Sequence, residues 1–300
     1  MANIKVWLSA MRLRTLPLSV SGIILGGCFA FYNGYFDWMV FIIATLLTMG
    51  LQILSNLAND YGDGVKGTDN ERRVGPKRAI QSGQISEHQM IDGIRKNILI
   101  VIFLTVALVF AAFGTKNFLY GFLFLILGGL AVYAALTYTI GDSAYGYKGL
   151  GDFFVFAFFG LVSVIGSYFL FMKQLDHVVI LPAIALGLLS VGVLNLNNMR
   201  DIESDQLSQK ITMAVKLGKS RAKNYHFFLI VGAMVVSFVF SILYFTSFWN
   251  FLFYIAYIPL VKHLIKIKNA SLPNDFDSQL KILALTTFLF SLLLGVGYIL

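Results

Sequence analysis

Nine long stretches of this 300-residue chain are almost free of charge, and nothing constrains its fold more. A helix needs roughly 20 consecutive apolar residues to cross the hydrocarbon core of a bilayer. Such stretches run from about 15–36, 38–58, 94–115, 117–140, 153–172, 178–199, 225–246, 248–261 (extending towards 267) and 281–300. The apolar residues are continuous rather than alternating, which excludes a transmembrane barrel. Only 13% of residues are charged while 58% are hydrophobic, about half the charge of an ordinary soluble domain. One soluble core could not hide that much apolar surface, and disorder is excluded on the same grounds. Cys28 is the one cysteine, so a disulfide scaffold is excluded and Cys28 reads as a packing residue. The expected fold is therefore all-α: a polytopic membrane protein of about nine helices, forming one domain over 1–300.

Charge placement tests the span count. If the N-terminus and the loops after even-numbered spans share one side, 21 of the 23 lysines and arginines fall there, leaving Lys116 and Lys173 opposite. The positive-inside rule makes that side cytoplasmic. Most of the net charge of +8 then reports topology, and a nucleic-acid partner is not needed to explain it. Lys5, Arg12 and Arg14 precede the first apolar run as in a signal peptide, but no small-residue cleavage site follows. Residues 1–14, with Ile4, Val6, Trp7, Leu8 and Met11, read instead as a helix lying in the membrane interface.

Thirteen of the fifteen acids fall on the cytoplasmic side, and two clusters stand out. After span two come Asn56, Asp60 and Asp63, with Asp69 beyond; after span six come Asn197, Asp201 and Asp205. If the spans continue as helix, each trio lines one face. Like charges stacked on a face repel unless a cation joins them. Acids at a helix end can simply be solvated, but here an Asn one turn before an Asp occurs twice, each time at the end of an even-numbered span. Carboxylate and amide oxygens are hard ligands. They suit Mg²⁺, which takes one or two carboxylates and completes its shell with water and phosphate oxygens.

A weak internal repeat relates the clusters. Asn56 and Asp60 match Asn197 and Asp201 at an offset of 141, and Ala79–Gly83 matches Ala214–Gly218 at an offset of 135. Spans one to four (about 15–140) and five to eight (about 153–267) are then related halves in the same orientation, and span nine is an addition. Gly83 and Gly218 read as turn or helix-cap glycines. Between the clusters, Arg72, Arg73, Lys77 and Arg78 form a basic segment. These can be topological flanks, yet arginine is also the natural bidentate partner of phosphate. Acids for Mg²⁺ beside arginines for phosphate fit a diphosphate substrate, and a site at the membrane surface suits one carrying a lipid tail.

These residues resemble the UbiA superfamily of intramembrane prenyltransferases. The resemblance rests on Arg12–Pro17, Gln52–Asp63, Gly75–Arg78, Gly146–Asp152 and Asn197–Asp205. It is greatest to the branch that prenylates 1,4-dihydroxy-2-naphthoate. It implies a bundle around a central cavity, polyprenyl diphosphate as donor, Mg²⁺ as cofactor, and release of CO₂ and diphosphate in a bacterial-type cell membrane. It also implies that Asn56, Asp60, Asp63, Asn197, Asp201 and Asp205 bind metal, the four aspartates being catalytic through it. Arg12, Asp69, Arg73, Arg78, Tyr147, Lys148 and Lys210 would contact substrate. Two departures stand out. Asp69 lies six residues beyond Asp63 rather than four, and Asp142 stands where a Tyr-x-x-x-Lys pattern from Tyr138 would place lysine. Lys148 either replaces that lysine or flanks the membrane; Asp152 is either a helix cap or an acceptor-side group. Sister enzymes acting on 4-hydroxybenzoate or haem are the alternative reading. A secondary transporter is a more distant one, because its acids should sit near mid-span. The four histidines show no spacing that suggests a site, and no phenylalanine can be assigned to the cavity from sequence.

Overall fold

The computed structural model describes residues 3–69 and 74–300. Among them, nine helices are long and apolar enough to span a bilayer. The segment expected to lie in the interface forms helix α1 (Ile4–Met11), capped by the Asn3 side chain. The spans follow as α2 (Leu16–Tyr32), α3 (Trp38–Val65), α4 (Glu87–Phe113), α5 (Phe118–Thr137) and α6 (Gly151–Met172). After these come α7 (Ile180–Arg200), the short α8 (Ile202–Leu207), α9 (Met213–Leu243), α10 (Phe248–Asn269) and α11 (Pro273–Ile299).

The apolar runs located the spans but understated the helices. Helix α3 continues to Val65, seven residues past the expected 58; α4 begins at Glu87 rather than 94, and α11 at Pro273 rather than 281. Apolarity marks where a helix meets lipid, whereas capping marks where it starts. Ser86 and Gln89 form a reciprocal capping box at α4, and Pro273 sits in the first turn of α11, where its missing N–H costs nothing. The eighth span begins as a 3₁₀ segment, Phe248–Ala256, and α6 is π-helical over Phe156–Gly166.

Without a hydrophobic force between helices in lipid, small residues that permit close approach decide which helices pair. Gly22 and Gly26 of α2 do this against α6. A Cβ at either would collide with Ser163 or Ser167, and Ser167 Oγ donates to the Gly22 carbonyl at 3.2 Å. Helix α11 runs parallel to α2, with Ser291 Oγ donating to the Ser21 carbonyl at 2.7 Å and Gly295 against Cys28, the packing role expected of Cys28. Many phenylalanines face outward, including Phe103, Phe110, Phe118 and Phe248.

Candidate active site

A cavity of about 730 Å³ runs through the bundle. Its body is apolar and includes Phe124, Phe154, Phe158 and Phe159; its other end is lined by Arg12, Asn56, Asn59, Asp63, Asp69 and Arg78 from the first half and by Asn197, Asn198, Asp201, Asp205 and Lys210 from the second. The two motifs, 141 residues apart, thus meet at one polar mouth.

The first motif is held by helix α3. Asn56 is fixed by the segment entering the membrane: its Nδ2 donates to the Met11 carbonyl at 2.9 Å and to Thr15 Oγ1 at 3.1 Å. Asp63 receives Lys210 Nζ at 3.1 Å on both oxygens and the Tyr147 hydroxyl at 2.8 Å. Thr68 Oγ1 lies 2.6 Å from that phenol, and with the tyrosine proton given to Asp63, Thr68 is the donor. Lys66 Nζ lies 4.2 Å above the Tyr147 ring. Burial works to lower the Lys210 pKa, but Asp63 and Asp205 outweigh it and hold the ammonium above the ordinary lysine value. Burial, reinforced by Asp63, pushes the Tyr147 phenol up.

Asp60 departs from its expected place. It is buried but absent from the cavity wall; its oxygens accept the backbone N–H groups of Ala79 at 3.2 Å and Ile80 at 3.4 Å. The cavity-facing side of α3 carries Gln52, Ser55, Asn56, Asn59 and Asp63, so Asn59 stands where Asp60 was expected. One residue is a 100° turn on a helix, enough to aim Asp60 at the loop instead. That loop carries Arg78, whose Nε lies 3.7 Å from the buried carboxylate of Asp69. Arg73 lies outside the described residues.

The second motif sits at a helix break: α7 ends at Arg200 and α8 starts at Ile202. Arg200 is the hub. Its Nε reaches Asp201 Oδ1 at 2.7 Å and its Nη2 reaches Asp201 Oδ2 at 2.5 Å; Nη2 also meets Asn197 Oδ1 at 2.9 Å, and Nη1 meets Asp277 Oδ1 of α11 at 2.6 Å. Neither Arg200 nor Asp277 was singled out from sequence. Arg200 lies inside the Asn197–Asp205 segment, but no local signal links it to a residue 77 positions away.

Other expected contacts lie elsewhere. Tyr147 stands behind Asp63 rather than on the wall. Lys148 is exposed and off the cavity, its carbonyl accepting Lys216 Nζ at 2.8 Å. Asp152 accepts the Tyr225 hydroxyl at 2.9 Å, also off the cavity. The histidines hold a pairing that spacing did not reveal: His226 Nε2 and His263 Nε2 lie 2.8 Å apart in the protein interior.

The donor set fits Mg²⁺. Among the described residues, no three His, Cys, Asp or Glu side chains converge into a ready-made metal cage. Instead Asp63, Asp201 and Asp205, with amide oxygens beside them, face a shared space. Mg²⁺ bound through a few carboxylates, water and substrate phosphate asks for such an arrangement.

Helical bundle, lipid-compatible cavity and oxygen-rich mouth define a polytopic membrane protein built to handle an anionic head and an apolar tail. The chain belongs to the UbiA prenyltransferase family, which it matches over residues 20–293. It is 45% identical to the 1,4-dihydroxy-2-naphthoate octaprenyltransferase of Escherichia coli (strain K12), over 86% of this chain and 83% of that one. It is 38% identical to the enzyme of the same name from Haemophilus influenzae, over 98% and 96%. The fold matches that of a UbiA homologue from Aeropyrum pernix K1 with a TM-score of 0.68 at 14% identity, covering 100% of this chain and 98% of that one. It also matches a UbiA homologue from Archaeoglobus fulgidus bound to GPP and Mg²⁺, with a TM-score of 0.66 at 13% identity, covering 96% and 99%.

Proposed function

We propose that this protein transfers a polyprenyl group from polyprenyl diphosphate to 1,4-dihydroxy-2-naphthoate, releasing CO₂ and diphosphate and giving demethylmenaquinone. The carrying observation is the meeting of both acidic motifs at the polar mouth of one apolar-bodied cavity. The identity to the naphthoate prenyltransferases supports this acceptor over 4-hydroxybenzoate or haem.

Asp63, Asp201 and Asp205 would hold Mg²⁺, with Asn56 and Asn197 contributing amide oxygens. When bound, the metal supplies positive charge to the leaving diphosphate. Arg12, Arg78 and Lys210 add cations at the same mouth. Asp69 keeps Arg78 in place, Tyr147 orients Asp63, and Asp60 acts through the loop it anchors. The apolar wall, with Phe154 and Phe158, takes the isoprenoid chain and keeps water from the developing allylic cation. The charge partition supports a cytoplasmic position for this mouth, and the bacterial relatives support a bacterial-type inner membrane. Spans one to four and five to eight are read as related halves; the matched landmarks Gly83 and Gly218 both have positive φ, +67° and +74°.

Purified protein given Mg²⁺, a polyprenyl diphosphate and 1,4-dihydroxy-2-naphthoate is expected to yield demethylmenaquinone by mass spectrometry. A folded preparation that makes no product from this acceptor, or prefers 4-hydroxybenzoate, overturns the assignment.

A further inference from the structure

The cations of the cavity divide into two groups. Lys210 faces Asp63, Arg78 faces Asp69, and Arg200 is shared by Asp201 and Asp277. Arg12 lies in the field of Asp60. Each of these charges is already answered by a carboxylate near the acidic motifs. Arg14 and Lys281 also line the cavity, both exposed at its edge, and neither has a hydrogen-bond or ion-pair partner among the described residues. Asp277, one helical turn before Lys281 on the same face, is the obvious partner for it, but Arg200 has claimed Asp277 at 2.6 Å.

The fold brings these two cations to one end of the bundle. Helices α2 and α11 run parallel, and their contacts set the register: Ser21 with Ser291, and Cys28 with Gly295. Counting back along α11 from these contacts carries Lys281 past the start of α2 at Leu16, to the level of the 3₁₀ turn Leu13–Thr15 that holds Arg14. Arg14 and Lys281 therefore flank the cavity where the first and last spans enter the membrane. Leu18, one turn beyond Arg14, and Ala284, one turn beyond Lys281, continue the same wall as apolar surface. The pattern is a pair of cations beside apolar wall residues, on the same cavity as the acidic motifs.

We propose that Arg14 and Lys281 form the site for the carboxylate of an aromatic acid acceptor, whose fused rings lie against Leu18 and Ala284. The proposal rests on the naphthoate reading above and deepens it by naming the residues that select an acid. A carboxylate is the group this site lacks: it would satisfy an arginine fork and an ammonium together. The diphosphate, held between the two acidic motifs, has its own cations.

The test separates acceptor from donor and needs no metal. Full-length protein in detergent is titrated with 1,4-dihydroxy-2-naphthoate, followed by the ligand's fluorescence, and anaerobically with 1,4-dihydroxynaphthalene, which lacks only the carboxylate. Arg14→Gln and Lys281→Gln are each expected to weaken naphthoate binding about tenfold, in line with the loss of one charge-assisted contact, and to leave dihydroxynaphthalene binding within twofold. Lys281→Arg should keep most of the affinity. The KM for polyprenyl diphosphate should not move in the active variants. The site is overturned if the double variant binds naphthoate as wild type does, if both probes weaken equally, or if the diphosphate KM rises instead. Wild-type protein that neither binds nor prenylates the naphthoate overturns the functional reading itself, a result distinct from these.

Discussion

Lys210 Nζ sits 3.1 Å from both oxygens of Asp63, although the two residues are 147 positions apart. The lysine follows the second acidic motif and the aspartate closes the first, so this ion pair ties the two motifs together across the cavity mouth. Both side chains are nearly out of water, at 11% and 8% exposure. A pair so placed is costly to break, because the survivor is left charged and buried. Lys210→Met is therefore expected to lower the melting temperature of the detergent-solubilised protein. It should also cut kcat about 10²-fold by removing a cation from the leaving-group end. Asp63→Asn added to Lys210→Met should restore much of the stability and none of the activity. Recovery of turnover in the double variant would show the pair to be structural alone.

The same pair sets a pH expectation. The folded-state pKa of Lys210 lies above its ordinary value. The stability it contributes is thus fully present below the unfolded lysine pKa of about 10.4 and is lost as pH rises through the higher folded value. Thermal melts of the metal-free protein should show no loss from this pair between pH 7 and about 9.5. A Lys210-dependent fall in melting temperature within that window, absent in Lys210→Met, contradicts the assignment.

Asp60 and Asp63 are three residues apart and should fail differently. Asp63→Ala removes the cavity-wall carboxylate proposed to hold the metal and should abolish turnover while the loop stays protected. Asp60→Ala removes the acceptor for the Ala79 and Ile80 N–H groups, leaving two backbone donors without their acceptor and the Arg78 loop loosened. Limited trypsin digestion should then cut at Lys77 or Arg78 several times faster than in wild type, with a raised KM for polyprenyl diphosphate. Equal protease resistance in both variants would return Asp60 to a direct role.

That contrast also marks how far the sequence could be read. Apolar runs locate spans because lipid contact is a local property, and the acidic clusters are conspicuous because a membrane protein has few charges to distribute. Rotation about a helix axis is less legible. Asn59 and Asp60 are adjacent, both polar, and differ only in which neighbour their face meets; α3 must be placed against the 74–86 segment before Asp60 can be aimed. The links Arg200–Asp277 and His226–His263 span 77 and 37 positions and exist only once α7, α9, α10 and α11 have packed. The π-helical stretch of α6 likewise has no periodicity of its own in a segment that is apolar on every side. Lys148 shows the converse: spacing leaves it as either a motif lysine or a flanking cation, and the fold puts it on the surface.

Arg200 is divided between Asp201 and Asp277, and that division bears on metal binding. A guanidinium fully committed to Asp201 would compete with Mg²⁺ for the same two oxygens. Asp277, on the last span, draws part of that charge away, and it is the more exposed partner, at 42% against 8% for Asp201. Asp277→Ala should therefore strengthen the Arg200–Asp201 pair and make Asp201 harder for the metal to claim. The expected outcome is a rise of roughly tenfold in the Mg²⁺ concentration for half-maximal rate, about 1.4 kcal/mol, with kcat at saturating Mg²⁺ reduced far less. Asp277→Glu should recover most of the affinity. If Asp277→Ala instead lowers kcat without moving the Mg²⁺ dependence, Asp277 acts on the substrate and not through Arg200.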